Sequence, residues 1–551
     1  MRLRTLPSTW VPWPAGAFPG ALGGATTDLR NLVYRRIDQL GALRDPCQGR
    51  VLETVLMLRL LERTGSTGHR AQHAALRRYL DARRDTGDAV DRLLVHGALD
   101  RPVQVWPDVA AGFLRQVPSF TAVRKRMMLD AFLVLLDAPR GPASYPAGEF
   151  CTIGLHSWAA AQVTAIKVIL ARQSGCHHEV RDGDVELLLA TQRTPWIWEG
   201  NLLIHLSALH ALHGLPGTAQ VILDGIDKAL RCQRADGSMP FVTDTDTWCT
   251  ATAGVALAEA GAEPDDLAPL ARHLLRQQRP NGGWAYTDLA HRTDADDTAV
   301  TCEFLHMLDP RKYADAIQQG LQSLLGIQDS TGGFPTYVAG APAEPCMTAA
   351  AINALSTQPA AHRQAIRSGL GFLVRHQDSG GGFAPDWSAS RHHTLFRSAL
   401  AAGALGAHTP QAVQRMGARI LEAVVGSQNH DGGWGQQPGH PSDALSTAYA
   451  LITVCRQPDP RPAVRAAAYL LDQRDDAGHI CTVPDSIGPR GFVFTVPALA
   501  DIFALLALGH LGQRMGGPAA SDLGGARPAA HAYLNRRPAA SERSLVAPVS
   551  G

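Results

Sequence analysis

Apolar residues recur every three or four positions along much of this chain, the period of a helix that buries one face. AIQQGLQSLLGIQ, AIRSGLGFLVRHQ and RILEAVVGSQ carry the pattern and lead into glycines. After each glycine turn comes a second helical stretch built of smaller residues: TAVTCEFLHML, MTAAAINALS, FRSALAAGALG and STAYALITVC. Their alanine and threonine content suits an inner layer where helices approach closely. Earlier segments such as RVLETVLMLRLLERTG and RMMLDAFLVLLDAP are also helical in pattern but precede no glycine turn of this kind.

The turns themselves repeat. The signature Q-x-x-x-G-G-[WF] begins at Gln278, Gln328, Gln377 and Gln428 and ends at Trp284, Phe334, Phe383 and Trp434. A degenerate copy starts at Gln233 and a decayed one at Gln473, so successive glutamines lie 45, 50, 49, 51 and 45 residues apart. A period in this range marks a helical repeat array. Glycine pairs fit the turns because a tight stop after a helix requires positive backbone angles. Five or six helix pairs of this kind close into a ring, a double-layered α-barrel around a central cavity, and the fold class is all-α.

Texture divides the chain into an N-terminal segment (1–19), a helical domain without the signature (20–190), the repeat domain (191–512) and a tail (513–551). The tail is rich in Gly, Ala, Pro, Ser and Arg without periodicity, which predicts disorder. Length 551 allows two or three domains. A net charge of +1 gives no electrostatic reason to expect nucleic acid or an anionic membrane as partner. The nine cysteines show no C-x-x-C spacing, which supports neither a zinc knuckle nor a disulfide framework. The N-terminus lacks the apolar stretch of a signal peptide, and no apolar run approaches the roughly 20 residues that span a bilayer. The cytoplasm is the expected compartment.

Within the repeats, Asp294-Ala295-Asp296-Asp297-Thr298-Ala299 crowds three carboxylates into four positions. In a low-dielectric site, desolvation and mutual repulsion both disfavour ionisation, so such a group holds a proton. Facing a dry, aromatic-lined cavity, it becomes an acid able to protonate a carbon-carbon double bond. A solvated acidic loop is the plainer alternative for an isolated acidic run; its place between two repeat turns argues against that.

The acidic stretch resembles the D-x-D-D-T-A motif of class II terpene cyclases, and the glutamine-glycine-aromatic signature resembles the QW motifs of that superfamily. The resemblance covers roughly residues 190–512 and extends to TDTDTWCTATAGVALAEAG and DGGWGQQPGHPSDALSTAYAL, which look like segments of bacterial diphosphate synthases. It implies a βγ architecture of two α-barrel domains with the active site in the cleft between them. It also implies Asp296 as the proton donor, Asp294 and Asp297 as the groups that hold and polarise it, and Thr298 as an orienting hydrogen-bond partner. The diphosphate-retaining branch implies a linear prenyl diphosphate substrate, farnesyl or geranylgeranyl, a bicyclic drimane- or labdane-type product, and Mg²⁺, a hard cation that suits carboxylate and phosphate oxygens. No D-D-x-x-D stretch accompanies the motif, so the diphosphate is expected to survive.

For the signature rings Trp284, Phe334, Phe383 and Trp434, packing is a sufficient role. Rings outside it, Trp248, Tyr286, Tyr337, Trp387, Phe396, Phe492 and Phe494, are cavity candidates, each with a core role as the plainer alternative; Trp248, Tyr337 and Trp387 are assigned to substrate. For the head group, Arg391, His392 and Arg397 form a basic cluster with His393 after Trp387. The twenty-carbon family reads D-K-W-H-x-S-x-Y-Y-x-T here, whereas this chain has PDWSASRHHTLFR, with Asp386 in place of the lysine and His392-His393 in place of the tyrosines. Near the C-terminal apolar segment only Arg490 is basic. These departures lean the substrate toward fifteen carbons. Glu199 and Asp246, acidic residues beside tryptophans, are the metal candidates, with helix capping as their alternative role. Rival readings are a cyclase of an uncharged polyene, a zinc-dependent protein prenyltransferase β subunit, whose nearest D-x-C here is Asp45-Pro46-Cys47, and a non-catalytic scaffold. A monomer or homodimer is expected.

Overall fold

The computed structural model describes residues 12–14, 16, 18, 20–100, 107–115, 117, 119–138 and 145–516. The chain opens with helix α1 (Leu22–Arg35) and then enters a body of nine helices: α2 (Val51–Thr64), α3 (Arg70–Asp81), α4 (Ala89–Leu99), α5 (Pro107–Arg115), α6 (Ala122–Leu135), α7 (Ser157–Gln173), α8 (Asp182–Ala190), α9 (Leu202–Leu212) and α10 (Ala219–Leu230). Where the chain enters and leaves this body, β1 (Gly49–Arg50) pairs antiparallel with β2 (Met239–Pro240). Eleven helices follow: α11 (Asp246–Glu259), α12 (Pro264–Gln277), α13 (Ala295–Leu308), α14 (Ala314–Leu325), α15 (Pro345–Leu355), α16 (Arg363–His376), α17 (His392–Ala401), α18 (Gln411–Gly426), α19 (Ala444–Val454), α20 (Arg461–Asp472) and α21 (Ala498–Arg514). A second short hairpin, β3 (Ser486–Ile487) with β4 (Val493–Phe494), precedes the last helix.

The alternation of residue size anticipated the two layers. Helices α11, α13, α15, α17, α19 and α21 pack each on the next, and α21 returns to α11, closing an inner ring. Such helices are covered on every side, and α19 buries all eleven of its residues. The outer helices bury one stripe only: α12 turns Leu267, Leu270, Ala271 and Leu274 inward and leaves its other face polar. Five outer helices come from the repeats, and α1 supplies the sixth by packing on α20 and α21.

Each repeat turn is tied to the next outer helix by its glutamine. The Gln278 side-chain amide donates to Gly282 O at 2.9 Å and to Ala316 O of α14 at 3.0 Å. Gln328, Gln377 and Gln428 make the corresponding pairs to their own turns and to α16, α18 and the start of α20. The signature tryptophans are fully buried and donate back into the preceding helix, Trp284 Nε1 to Leu274 O and Trp434 Nε1 to Val424 O, both at 2.7 Å. Glycine is required at these turns: Gly332 has φ +87°, and a Cβ there would stand 2.4 Å from Ser368 O. The aromatic of the signature is a structural plug, as expected.

The two hydrophobic cores divide the chain differently from the expected boundaries. Helices α9 and α10 and the degenerate turn at Gln233 belong to the core built by α2–α8, so that body runs to about residue 241 instead of 190. Conversely α1, together with Trp13 and Phe18, joins the repeat-domain core. Composition registered the missing signature but not which core each helix faces. At the other end α21 reaches Arg514, which is buried, while residues from 517 of the tail lie outside the described residues.

Candidate active site

A cavity of about 560 Å³ lies between the two bodies, lined from α6, α7 and α9 on one side and from the first turns of α11, α13, α15 and α17 and the β3–β4 hairpin on the other. One wall is a run of rings in edge contact: Trp158 meets Tyr286 at 5.4 Å and Tyr337 at 5.3 Å, and Tyr337 meets Trp387 at 6.0 Å. Trp248 and Phe494 also line it. Two other ring candidates do not: Phe396 stacks on Tyr449 at 5.4 Å, and Phe492 packs on Phe113 at 4.8 Å in the core of the other body.

All three carboxylates of the acidic motif reach this cavity. Their placement follows from the repeat. Asp294 N donates to Trp284 O at 3.0 Å, as Glu344 N does to Phe334 O and Asp443 N to Trp434 O, so three of the four signature turns deliver an acidic residue to the start of the following inner helix; α17, after Phe383, has Arg391 at its N-cap instead. Asp294 caps α13 by accepting from Asp297 N at 2.8 Å, and Asp443 caps α19 in the same way. The first acid is therefore repeat architecture. Asp296 and Asp297 are the additions; the equivalent positions elsewhere hold Cys346-Met347 and Leu445-Ser446. Burial pushes Asp294 up to about 7. Asp297 is pushed well above the usual carboxyl range, by burial first and then by the charges of Asp294 and Asp296, and its Oδ1 has no hydrogen-bond partner. Asp296 Oδ1 accepts from Arg397 at 2.6 Å, with the guanidinium buried.

The other body contributes cations. Arg124 and Lys125, in the first turn of α6, line the cavity, where the helix dipole also favours an anion. Among the described residues neither has an ion-pair or hydrogen-bond partner. Desolvation, reinforced by Arg490, Arg124 and Arg50, pushes the Lys125 ammonium down to about 7. Arg490 lies 4.4 Å over the Trp387 ring and is paired with Glu344. Arg124 and Lys125 are not among the residues expected from sequence; the available signal was Arg124-Lys125-Arg126 at the head of the apolar helix MMLDAFLVLL.

Several expected residues do other work. Thr298 touches no carboxylate: its hydroxyl accepts from Trp284 N at 3.0 Å, and Thr348 and Thr447 serve Phe334 and Trp434 identically. Arg391 starts α17 with its N–H on Gln436 O and does not line the cavity. His392 is buried beside the Trp434 ring, at 6.2 Å, and desolvation pushes it down to about 3, so it is neutral. Arg397 is engaged by Asp296 instead of facing a head group.

The metal candidates do not fit Mg²⁺. Glu199 is buried, with Oε2 accepting from Trp158 Nε1 and the His291 and Arg292 N–H groups and Oε1 facing His291 Nδ1 at 3.1 Å. It clasps the two bodies, and its backbone φ of +56° is held by those bonds. Asp246 is paired through Oδ2 with Arg44 at 2.5 Å and, although its Oδ1 has no hydrogen-bond partner among the described residues, it does not line the cavity. Asp45, from the zinc-like triplet, pairs with Arg36 at 3.0 Å. The fold instead gathers Cys346 of α15 with Asp386 and His393, with Cys346 Sγ 3.5 Å and Asp386 Oδ2 3.2 Å from His393 Nδ1.

Comparison with known proteins agrees with this architecture. The chain matches the prenyltransferase alpha-alpha toroid domain over residues 203–384 and 298–477. It is 36% identical over 517 residues to a drimenyl diphosphate synthase of Streptantibioticus cattleyicolor, covering 89% of this chain and 95% of that one. A drimenyl diphosphate synthase of Streptomyces showdoensis is 36% identical over 502 residues, covering 88% and 93%. Among solved structures, an ent-copalyl diphosphate synthase from Streptomyces platensis shares the fold with a TM-score of 0.56 at 18% identity, covering 90% of this chain and all of that one. No helix among the described residues is long and apolar enough to cross a membrane.

Proposed function

The chain belongs to the class II terpene cyclases that act on prenyl diphosphates, and we propose that its substrate is farnesyl diphosphate, cyclised to a drimane-type bicycle with the diphosphate retained. The choice of fifteen carbons is supported by the 36% identity to two drimenyl diphosphate synthases across nearly their full length. The observation that carries the reading is a single cavity lined by a proton-holding carboxyl cluster, by aromatic rings and by two cations that have no partner among the described residues.

In this reading Asp296 delivers a proton to the terminal double bond of the folded chain. Arg397 stabilises the carboxylate left behind, and the N-terminus of α13 does the same. Asp294 and Asp297, held largely protonated by burial, resupply the proton. Trp158, Tyr286, Tyr337 and Trp387 present π faces to the migrating positive charge, each worth about 0.5–2 kcal/mol in a dry site. Arg124 and Lys125 hold the diphosphate; an uncharged polyene leaves them in the cavity wall with no anion. Mg²⁺ bound to the diphosphate would supply further charge neutralisation, but Glu199 is engaged through both oxygens and Asp246 does not line the cavity. We place the reaction in the cytoplasm, carried out by a monomer or homodimer. Incubating the enzyme separately with the fifteen- and twenty-carbon diphosphates and Mg²⁺, then dephosphorylating and identifying the alcohols, tests the reading. A bicyclic C15 alcohol that disappears in Asp296→Ala supports it; turnover persisting in that variant overturns the donor.

A further inference from the structure

Protonation at one end of a polyene leaves a carbocation at the other, and a neutral olefin forms only if a base removes a proton there. We propose that His393, oriented by Asp386, is that base. The inference rests on the cyclase reading above and adds the residue that ends the reaction.

Asp386 is buried and takes three hydrogen bonds: Ser388 N donates to Oδ1 at 2.7 Å, and the Thr394 hydroxyl and His393 Nδ1, at 3.2 Å, meet Oδ2. Burial alone would raise its pKa, yet His393 and these donors hold it below the usual carboxyl range. A carboxylate only accepts, so Nδ1 carries the hydrogen, and in the neutral ring that a base requires Nε2 carries the lone pair. Nε2 has no partner among the described residues, is not sealed from solvent, and belongs to a residue that lines the cavity. It is the nitrogen left to face the substrate. Asp485, pushed up to about 6 by burial, lines the same region but is already engaged by the Ser388 hydroxyl, Ser390 N and the Tyr449 hydroxyl.

Position supports the assignment. His393 and Arg397 stand four residues apart on α17, and Arg397 holds Asp296. Neighbours at that spacing lie on the same face of a helix, with Cβ atoms roughly 5–6 Å apart. The base and the residue that holds the acid thus stand on one helix, while Asp296 itself comes from α13, and all three carboxyls of the acidic motif and His393 line the same cavity. In the step itself, a C–H bond adjacent to the tertiary cation breaks, its electron pair becomes the new C=C bond, and the proton passes to Nε2. The resulting imidazolium is stabilised by Asp386 and returns its proton to solvent after product leaves.

The test compares wild type, His393→Ala, His393→Gln and Asp386→Asn on farnesyl diphosphate, measuring consumption rate, the composition of dephosphorylated products and the zinc content of the purified wild-type enzyme. The expected result for both His393 variants is a rate loss of about 10²-fold or more, with the wild-type olefin partly replaced by double-bond isomers or a water-captured alcohol. Asp386→Asn should shift composition in the same direction, less far. If His393→Ala does not fold, His393→Gln carries the same readouts. Wild-type composition in the His393 variants, whatever the rate, overturns the proposal, because a base removed must change how the cation is quenched. One zinc per chain also overturns it, by assigning Cys346, Asp386 and His393 to a metal. Failure of the cyclase reading looks different: the wild type itself yields no bicyclic product.

Discussion

Replacing Lys125 by methionine removes the ammonium but keeps a stem that fills the same space. A hydrogen bond to a charged group contributes about 1.5–3 kcal/mol, so losing one to the diphosphate raises KM roughly ten- to a hundredfold. The pH dependence is more informative. Lys125 is pushed down to about 7 in the empty cavity, where its neighbours are cations. Above that pH it loses its proton, so wild-type kcat/KM, which reports the free enzyme, should fall as pH rises. Asp294, pushed up to about 7, contributes a fall in the same direction as the acid cluster empties. Lys125→Arg separates the two, since a guanidinium keeps its charge; only the part of the fall due to the carboxyls should remain. The substrate's own ionisation is common to all three enzymes and cancels. Initial rates across about pH 6 to 9, with product extracted and counted, give the profiles. A Lys125→Met enzyme with wild-type KM would refute the assignment of the diphosphate to this end of the cavity.

Asp296→Asn keeps an acceptor for Arg397 but has no proton to give, and turnover measured on the C15 diphosphate should drop roughly 10²–10⁴-fold while the fold survives. Asp294 and Asp297 retain protons that the unfolded chain releases near their ordinary values. Between about pH 4 and 7 the folded state therefore binds more protons, and stability in urea should fall as pH rises through that window, with the slope reduced in Asp297→Asn. Gly332→Ala meets both a positive φ and the Ser368 carbonyl and should cost at least about 2 kcal/mol, whereas Gly340→Ala, at φ +82° with open space around it, meets only the backbone cost of about 1–2 kcal/mol; equal losses in denaturant titrations would contradict the role given to the repeat turn. Glu199→Gln should lower the melting temperature by loosening the clasp between the bodies and leave the Mg²⁺ dependence of the rate unchanged; a shift in that dependence would restore Glu199 as a metal ligand.

The periodic features were legible in sequence and the non-local ones were not. Glutamine, glycine pair and aromatic recur because each turn must satisfy the same carbonyls and plug the same gap, so local chemistry imposed a pattern that could be counted. The acidic motif was legible for the same reason, since it interrupts that pattern. What failed was anything decided by distant packing. Arg397 read as a head-group ligand because its neighbours in sequence are basic, but its neighbour in space is Asp296, 101 residues away. Glu199 offered two oxygens to a metal until His291 and Arg292, from the other body, occupied them. Arg124 and Lys125 passed unnoticed because a charge at the head of an apolar helix usually points to water, and only the docking of two bodies encloses it. Asp386 and His393 stand seven residues apart, but nothing local to them indicates that the imidazole lines a cavity.

The sixth outer helix comes from the start of the chain, whereas its neighbours α20 and α21 come from the end, with an entire second body spliced between α1 and α11. During synthesis, α1 precedes the other helices and lacks the surface it settles on until α20 and α21 leave the ribosome. The spliced body, its two ends pinned by β1 and β2, has all of its core but Phe492 far earlier. Assembly is therefore ordered by topology: the inserted unit matures while the ring stays open, and closure waits for α21. Translation stalled or truncated before residue 498 would leave α1 and the flank of α11 as bare apolar surface, a substrate for chaperones and not for catalysis.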